Sequence, residues 1–253
     1  MNSRCNAAFL IFGLLLGLLL APVGQTALAG ISCEPPCVCV CPTATPTATT
    51  VPPTPTPTAT LPPSTAGTLV IGHITDLHAG AVNNNPTAIA AAVTALNASG
   101  AQLVIETGDA TDGALPAQWT LHDSWLIKLT IPRRLVAGNH DAWTLPSGWP
   151  ASWAIDLNGY RIIGINGPFC SGTWLASQWT TAPAVIVSHV PLSLISGSCR
   201  EQILSHGVAL CLHGHLHIDQ VTTASGVLEI CSSRSGLGRY RLITLSGGHV
   251  VSY

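Results

Sequence analysis

Five short clusters carry side chains able to hold metal ions: Asp76-Leu77-His78, Gly108-Asp109, Gly138-Asn139-His140-Asp141, His189 and Gly214-His215-Leu216-His217. Aspartate and histidine offer oxygen and imidazole nitrogen, donors suited to Zn, Fe, Mn or Ni, whereas a structural zinc site more often uses thiolates. Asn139 adds a neutral amide oxygen, an unusual ligand for a single metal. The set divides in two. With Asp109 bridging, Asp76, His78 and His217 complete one site, while Asn139, His189 and His215 complete the other, each keeping positions open for water. Two carboxylates set against about four positive charges from a pair of divalent ions leave the site cationic, so it should attract a phosphate ester. A water shared by the two metals would have its pKa lowered towards roughly 7 and could attack phosphorus in line with the leaving oxygen. His140 stands outside the ligand count and has the chemistry to protonate that leaving oxygen as a general acid.

Neighbouring polar residues have plainer readings. Asp112 and Asp141 suit hydrogen bonds that steady the ligands, or solvated loop carboxylates. His213 ends an apolar run and reads as a packed or hydrogen-bonded imidazole. His73, His122, His206 and His249 lack partners at useful spacing. Trp143, Trp149 and Trp153 follow His140 closely enough to stack on a substrate, although packing is the commoner fate of tryptophan.

The clusters must be positioned by something rigid, and each follows an apolar run. These runs are 68–75, 102–106, 134–137, 184–187 and 208–212. Such runs read as buried strands, and ligands at the ends of adjacent strands converge on one crevice. Pro86 opens a helix with an apolar face of Ile89, Ala92, Val93 and Leu96, ended by Gly100; Pro116 opens a second through Leu129. Residues 153–157 and 160–165 flank Asn158-Gly159, a strong hairpin signal, and the chain from Ile218 reads as further strands turning at Ser225-Gly226 and Gly247-Gly248. Mixed sheets are the expected result.

The ordered set DLH, GD, GNHD, a lone histidine before Val-Pro, and GHLH resembles the calcineurin-like metallophosphoesterase superfamily, nearest its cyclic-nucleotide-phosphodiesterase-like branch. The resemblance covers residues 68–253. Single clusters of this kind occur by chance, but the order and spacing of the whole set are hard to imitate. It implies an α/β fold, a four-layer α-β-β-α sandwich of two mixed sheets flanked by helices, with the metal site at the strand ends. It also implies two divalent or mixed-valence metal ions (Mn, Fe, Zn or Ni) held by Asp76, His78, Asp109, Asn139, His189, His215 and His217. His140 would be the proton donor and phosphate contact. The substrate would be a phosphodiester, a cyclic nucleotide among the candidates, or a phosphomonoester.

The first 66 residues follow different rules. Arg4, an uncharged apolar run from Ala7 to Ala21, and Ala27-Leu28-Ala29 before Gly30 have the layout of a signal peptide over 1–29, which makes the protein secreted or cell-envelope bound. Lipidation of Cys33 is a rival reading that would tether the chain to the envelope. Cys33, Cys37, Cys39 and Cys41 crowd into a 30–41 segment where they can pair locally, bind a metal or join chains. From 42 to 66 the chain is mostly Thr, Pro and Ala and cannot build a core; in polyproline form it would reach on the order of 60 Å. The folded domain is thus expected over 67–253. Within it, Cys170 and Cys199 can staple loops beside the strand that delivers His189. Cys211 and Cys231 fall in strands, as a pair if these are neighbours or as buried thiols.

A net charge of −2, with only 8% charged residues, leaves no basic stripe and argues against an obligatory nucleic-acid partner. The export signal counts against an intracellular cyclic-nucleotide role. A reading of another class is a surface-displayed binding module whose metal site is structural or silent; the intact His140 disfavours it.

Overall fold

The computed structural model describes residues 66–253. The expected signal peptide, Cys-rich segment and Thr/Pro linker therefore lie outside the described residues, apart from Ala66. That residue, grouped with the linker by composition, is buried against the core, and the Gly67 amide donates to the Asn158 carbonyl.

The first half alternates strand and helix. β1 (Leu69–Ile74) is buried along nearly all its length, as a strand covered on both faces must be. α1 (Pro86–Ala98) starts where the Asn85 side chain accepts from the Ala88 amide and Pro86 pre-sets the first turn. Its buried residues are Ile89, Ala92, Val93 and Leu96, the face read from the sequence. β2 (Leu103–Glu106), α2 (Pro116–Leu126) and β3 (Arg133–Leu135) follow. α2 stops at Leu126 and does not reach Leu129, whose amide closes a turn on the Leu126 carbonyl. The chain must be extended at Ile131 before Pro132, so it leaves the helix early.

The second half is richer in strands. β4 (Trp153–Leu157) and β5 (Tyr160–Gly164) form the expected hairpin, with Asn158 and Gly159 both at positive φ. Then come α3 (Gly172–Ala176), β6 (Ala184–Val187), α4 (Gly197–His206) and β7 (Leu210–His213), and last β8 (Gln220–Ala224), β9 (Val227–Cys231), β10 (Arg241–Ser246) and β11 (His249–Ser252).

Two mixed sheets result. One has the order β11-β10-β1-β2-β3, with β1, β2 and β3 parallel; the other runs β4-β5-β6-β7-β9-β8, with β5, β6, β7 and β9 parallel. Side chains such as Leu69, Ile71, Ile105, Val187, Leu212 and Ile243 fill the space between the sheets. α1 and α2 cover the outer face of the first sheet through Ile89, Val93, Leu96 and Leu126. α3 and α4 cover the second through Leu175, Cys199 and Ile203. This is the four-layer α-β-β-α sandwich expected from the sequence, and its parallel strands all end at one edge. Among the described residues no helix is long and apolar enough to cross a membrane.

Cys170 and Cys199 are disulfide-bonded, joining the loop before α3 to the first turn of α4. Cys211 and Cys231 lie on the neighbouring strands β7 and β9 but remain buried free thiols. Cys211 is opposite Glu229 and Cys231 opposite His213, so the register sets the two cysteines two residues apart.

Candidate metal centre

The five clusters meet at the edge where the parallel strands end. Asp76 and His78 follow β1, Asp109 follows β2, Asn139 and His140 follow β3, His189 follows β6, and His215 and His217 follow β7. The crevice needs sharp turns, and the backbone supplies them at the functional residues themselves. Asp76, His78, Asp109, His215 and His217 all have positive φ, between 46° and 69°. Each such residue costs on the order of 1–3 kcal/mol and persists only where its surroundings hold it. For Asp76 and His78 the holding is done by backbone bonds between loops, the Asp76 amide donating to the Gly108 carbonyl at 2.9 Å and the His78 amide to the Asp109 carbonyl at 2.8 Å, while the His215 amide donates to Oδ2 of Asp76 at 3.1 Å. Gly138 has to be glycine for a different reason, since a Cβ there would collide with the Asp109 carboxylate and amide.

Two groups of donors share Asp109. In the first, Asp76, His78, Asp109 and His217 converge. Nε2 of His78 lies 3.1 Å from Nε2 of His217, and Oδ1 of Asp76 lies 3.2 Å from the latter. In the second, Asp109, His189 and His215 converge. Oδ1 of Asn139 stands 3.0 Å from both Nε2 of His189 and Nδ1 of His215. Oδ2 of Asp109 sits between the groups, 3.7 Å from His78 and 3.3 Å from His189. All seven residues singled out in the sequence are thus brought together.

The electrostatics of the site match ligand chemistry. Burial opposes charge on Asp76, yet His217, His78 and the Thr75 hydroxyl together hold its carboxyl well below the usual range. Its Oδ1 is buried with no hydrogen-bond partner among the described residues. Nε2 of His217 lies 3.2 Å from it, so the oxygen faces the donor group and has room to serve a cation. His189 donates from Nδ1 to the Thr107 carbonyl at 2.7 Å, which leaves Nε2 with its lone pair towards the site. Burial works against its charged form, but the Asp109 carboxylate outweighs that and raises its pKa. Burial and the neighbouring His189 lower that of His215.

His140 is exposed, as is His217, whereas His78 and His189 are buried. The His140 amide donates to Oδ1 of Asp109 at 2.8 Å, and its ring donates from Nδ1 to the Asp112 carbonyl at 2.9 Å, leaving Nε2 free. The Asp112 carboxylate lies 3.3 Å from Nδ1 of His78. Asp141 is buried and accepts from the amides of Gly138, Ala110 and Thr111, which knits the GNHD turn to the Asp109 loop. Both aspartates therefore support the site from behind, as their spacing suggested. His213 is buried and bonded to the Gly214 carbonyl, in line with its reading as a packed imidazole.

Spacing missed the partners of three histidines, of which His206 is exposed, stacked on Trp179 at 4.1 Å between ring centroids. His73 is buried between Thr107 and Ser232, bonded to both hydroxyls, and burial lowers its pKa to about 3. His122 is buried on α2 with Nε2 2.7 Å from Glu106, whose other oxygen accepts from Arg133 at 2.7 Å. Of the three tryptophans after His140, Trp143 alone reaches the centre, its ring centroid 5.9 Å from that of His189. Trp153 is buried and donates to the Leu135 carbonyl, while Trp149 lies under Arg133. Those two are packing residues.

Residues 69–219 match the family model for calcineurin-like phosphoesterases. No curated protein matches the chain. Among solved structures, the fold is similar to that of a dimetal phosphatase from Danio rerio, at 14% identity and a TM-score of 0.58, covering 70% of this chain and 93% of that one. It is similar too to a purple acid phosphatase from yellow lupin (Lupinus luteus) seeds, at 11% identity and a TM-score of 0.53, covering 74% of this chain and 51% of that one. A third structure, GAP50, the anchor in the inner membrane complex of Plasmodium, shares 14% identity with a TM-score of 0.52, covering 71% of this chain and 82% of that one. At these identities the likeness is one of fold.

Proposed function

The chain belongs to the calcineurin-like phosphoesterase family, and from that premise we propose that it is an exported, metal-dependent hydrolase of phosphodiesters or phosphomonoesters. The observation that carries this reading is the pair of donor groups sharing Asp109. Two metal ions fit these residues. Imidazole nitrogens of His78 and His217 3.1 Å apart, with the buried Oδ1 of Asp76 3.2 Å from the latter, form a compact set of nitrogen and oxygen donors suited to a cation. Asp76, His78 and His217 would hold one ion, Asn139, His189 and His215 the other, and Asp109 both. When bound, the metals supply a water acidified towards pKa ~7 and positive charge to offset that on phosphorus oxygens.

The remaining work falls to the chain. Thr107 and Asp112 orient His189 and His78 through their Nδ1 atoms, so that neither ring has to reorganise. His140 is held at Nδ1 by the Asp112 carbonyl, which directs Nε2 to the open side, where it contacts phosphate and delivers a proton to the leaving oxygen. The export reading rests on the N-terminal sequence and is supported by the Cys170–Cys199 bond, since disulfides persist in oxidising compartments.

The test is hydrolysis of bis-p-nitrophenyl phosphate and p-nitrophenyl phosphate by the purified protein with Mn, Fe, Ni or Zn, alongside Asp109→Ala. We expect turnover with at least one metal, and a loss of at least a thousandfold in the variant together with reduced metal content. No turnover with any metal would favour a binding module with a structural metal site. A wide preference for the diester would favour the phosphodiesterase form of the proposal.

A further inference from the structure

The six loops that follow β1, β2, β5, β6, β7 and β9 each expose a large apolar side chain. In that order they are Val82, Leu115, Phe169, Leu194, Leu216 and Leu237. These loops form the edge where the candidate metal centre lies. The turns at the opposite edge expose only one such residue among the described residues, Ile127. Scattered apolar residues on a surface need no explanation, but their concentration at one edge does.

Two members of this set adjoin the centre. Leu216 lies between His215 and His217 in the chain. Phe169, 66% exposed, packs edge-on against Trp143 at 5.8 Å between ring centroids, and Trp143 packs edge-on against His189 at 5.9 Å. The loops are also fixed in place. The Cys170–Cys199 disulfide ties down the segment next to Phe169, and the Asn85 amide bonds to the Gly236 carbonyl, joining the Val82 and Leu237 loops. A phosphate held at the centre would therefore have apolar side chains beside it at Leu216 and along Trp143 and Phe169.

The rim selects the chemistry of what that phosphate carries. Five of the six side chains are aliphatic, and they come from separate loops at one edge of the two sheets. A single planar base stacks on a flat aromatic face, and Phe169 is the one aromatic side chain of the six. Several flexible hydrocarbon chains could reach the whole set. Two guanidinium groups lie beside these apolar side chains, where an anionic headgroup would meet them. Arg200 is bonded to the Ser193 carbonyl beside Leu194, and Arg234 to Asn83 and Asn84 beside Val82.

We propose that the substrate is a phospholipid, its phosphoester entering the metal centre while the apolar rim sits in the acyl layer of the membrane that presents it. This rests on the phosphoesterase reading. Burial of each methylene group changes partition by roughly fourfold, so chain length is the variable to test.

The experiment uses the purified protein with its activating metal. Turnover of glycerol 3-phosphate is compared with that of dibutyryl and dioctanoyl phosphatidic acid, the corresponding phosphatidylglycerols serving as diester substrates. Bis-p-nitrophenyl phosphate is the soluble reference. Cosedimentation with vesicles of equimolar phosphatidylglycerol and phosphatidylcholine gives a second readout that does not depend on catalysis. We expect kcat/KM to rise at least tenfold from the four-carbon to the eight-carbon chains, and the protein to sediment with vesicles. In Val82→Ser/Leu194→Ser, the ratio of dioctanoyl-lipid to soluble-ester turnover should fall at least tenfold. Turnover of the soluble ester with no dependence on chain length would overturn the phospholipid proposal and leave the phosphoesterase reading standing. Absence of turnover on every substrate would remove both.

Discussion

His140 and Asp109 show how little of a side chain's role is carried by its type. Asp109 uses one carboxylate oxygen to accept from the His140 amide and keeps the other between the two donor groups. Replacing the ring of His140 leaves that amide bond in place, so His140→Ala should retain metal content while kcat falls about 10²–10⁴-fold, the usual scale for a lost general acid. The loss should be much smaller for p-nitrophenyl esters, whose leaving group needs little help from a proton, than for alkyl esters. A loss equal for both leaving groups would move His140 from proton donor to phosphate contact alone. Metal analysis of the variant separates either outcome from damage to the centre.

At the scale of elements, the buried Glu106–His122–Arg133 cluster ties β2, α2 and β3 together behind the GNHD turn. Burial disfavours the charged form of His122, but the adjacent Glu106 carboxylate prevails and raises its pKa to about 9. Burial likewise opposes the charge on Glu106, and His122 and Arg133 hold its carboxyl below the usual range. Because the folded pKa of His122 lies above the unfolded value of about 6.5, its contribution is complete below that pH. It is lost as the pH rises through about 9. The shift corresponds to roughly 3 kcal/mol by linkage. Urea denaturation should therefore give a lower unfolding free energy at pH 9.5 than at pH 6.5, and His122→Gln should flatten the dependence while lowering stability on the order of 3 kcal/mol. Equal slopes in the two proteins would mean that the cluster is not charged as described.

Across the whole molecule, the Cys170–Cys199 bond closes a loop with a sequence separation of 29 residues, running through β6 and the His189 loop. Loop-closure entropy at that length gives about 3–4 kcal/mol. Cys170→Ser/Cys199→Ser should lose stability of that order by denaturant titration, and the wild-type protein should lose a similar amount in reductant. Cys211 and Cys231 should not take the place of the missing pair. Both are buried, and burial raises their thiol pKa values, that of Cys231 to about 11, so neither offers much thiolate near neutral pH. A double variant as stable as the parent would show that the sandwich holds the rim without the staple.

The apolar runs, the Pro86 and Pro116 helix starts and the Asn158-Gly159 hairpin were legible in the sequence because each is a local pattern with a local cause. The seven donor residues were legible too, since five loops serving one crevice leave a fixed order of short motifs. What the sequence could not show is what depends on partners brought from afar. His122 meets Glu106 and Arg133 only because α2 lies across β2 and β3. The left-handed backbone at Asp76 and His78 is held by bonds to the Asp109 loop, against the preference of those residues. Val82, Phe169 and Leu194 are unremarkable one at a time, and they become a rim only when parallel strands deliver their loops to the same edge. Side-chain chemistry and chain periodicity are properties of the sequence, whereas proximity between distant segments exists only once the two sheets have packed.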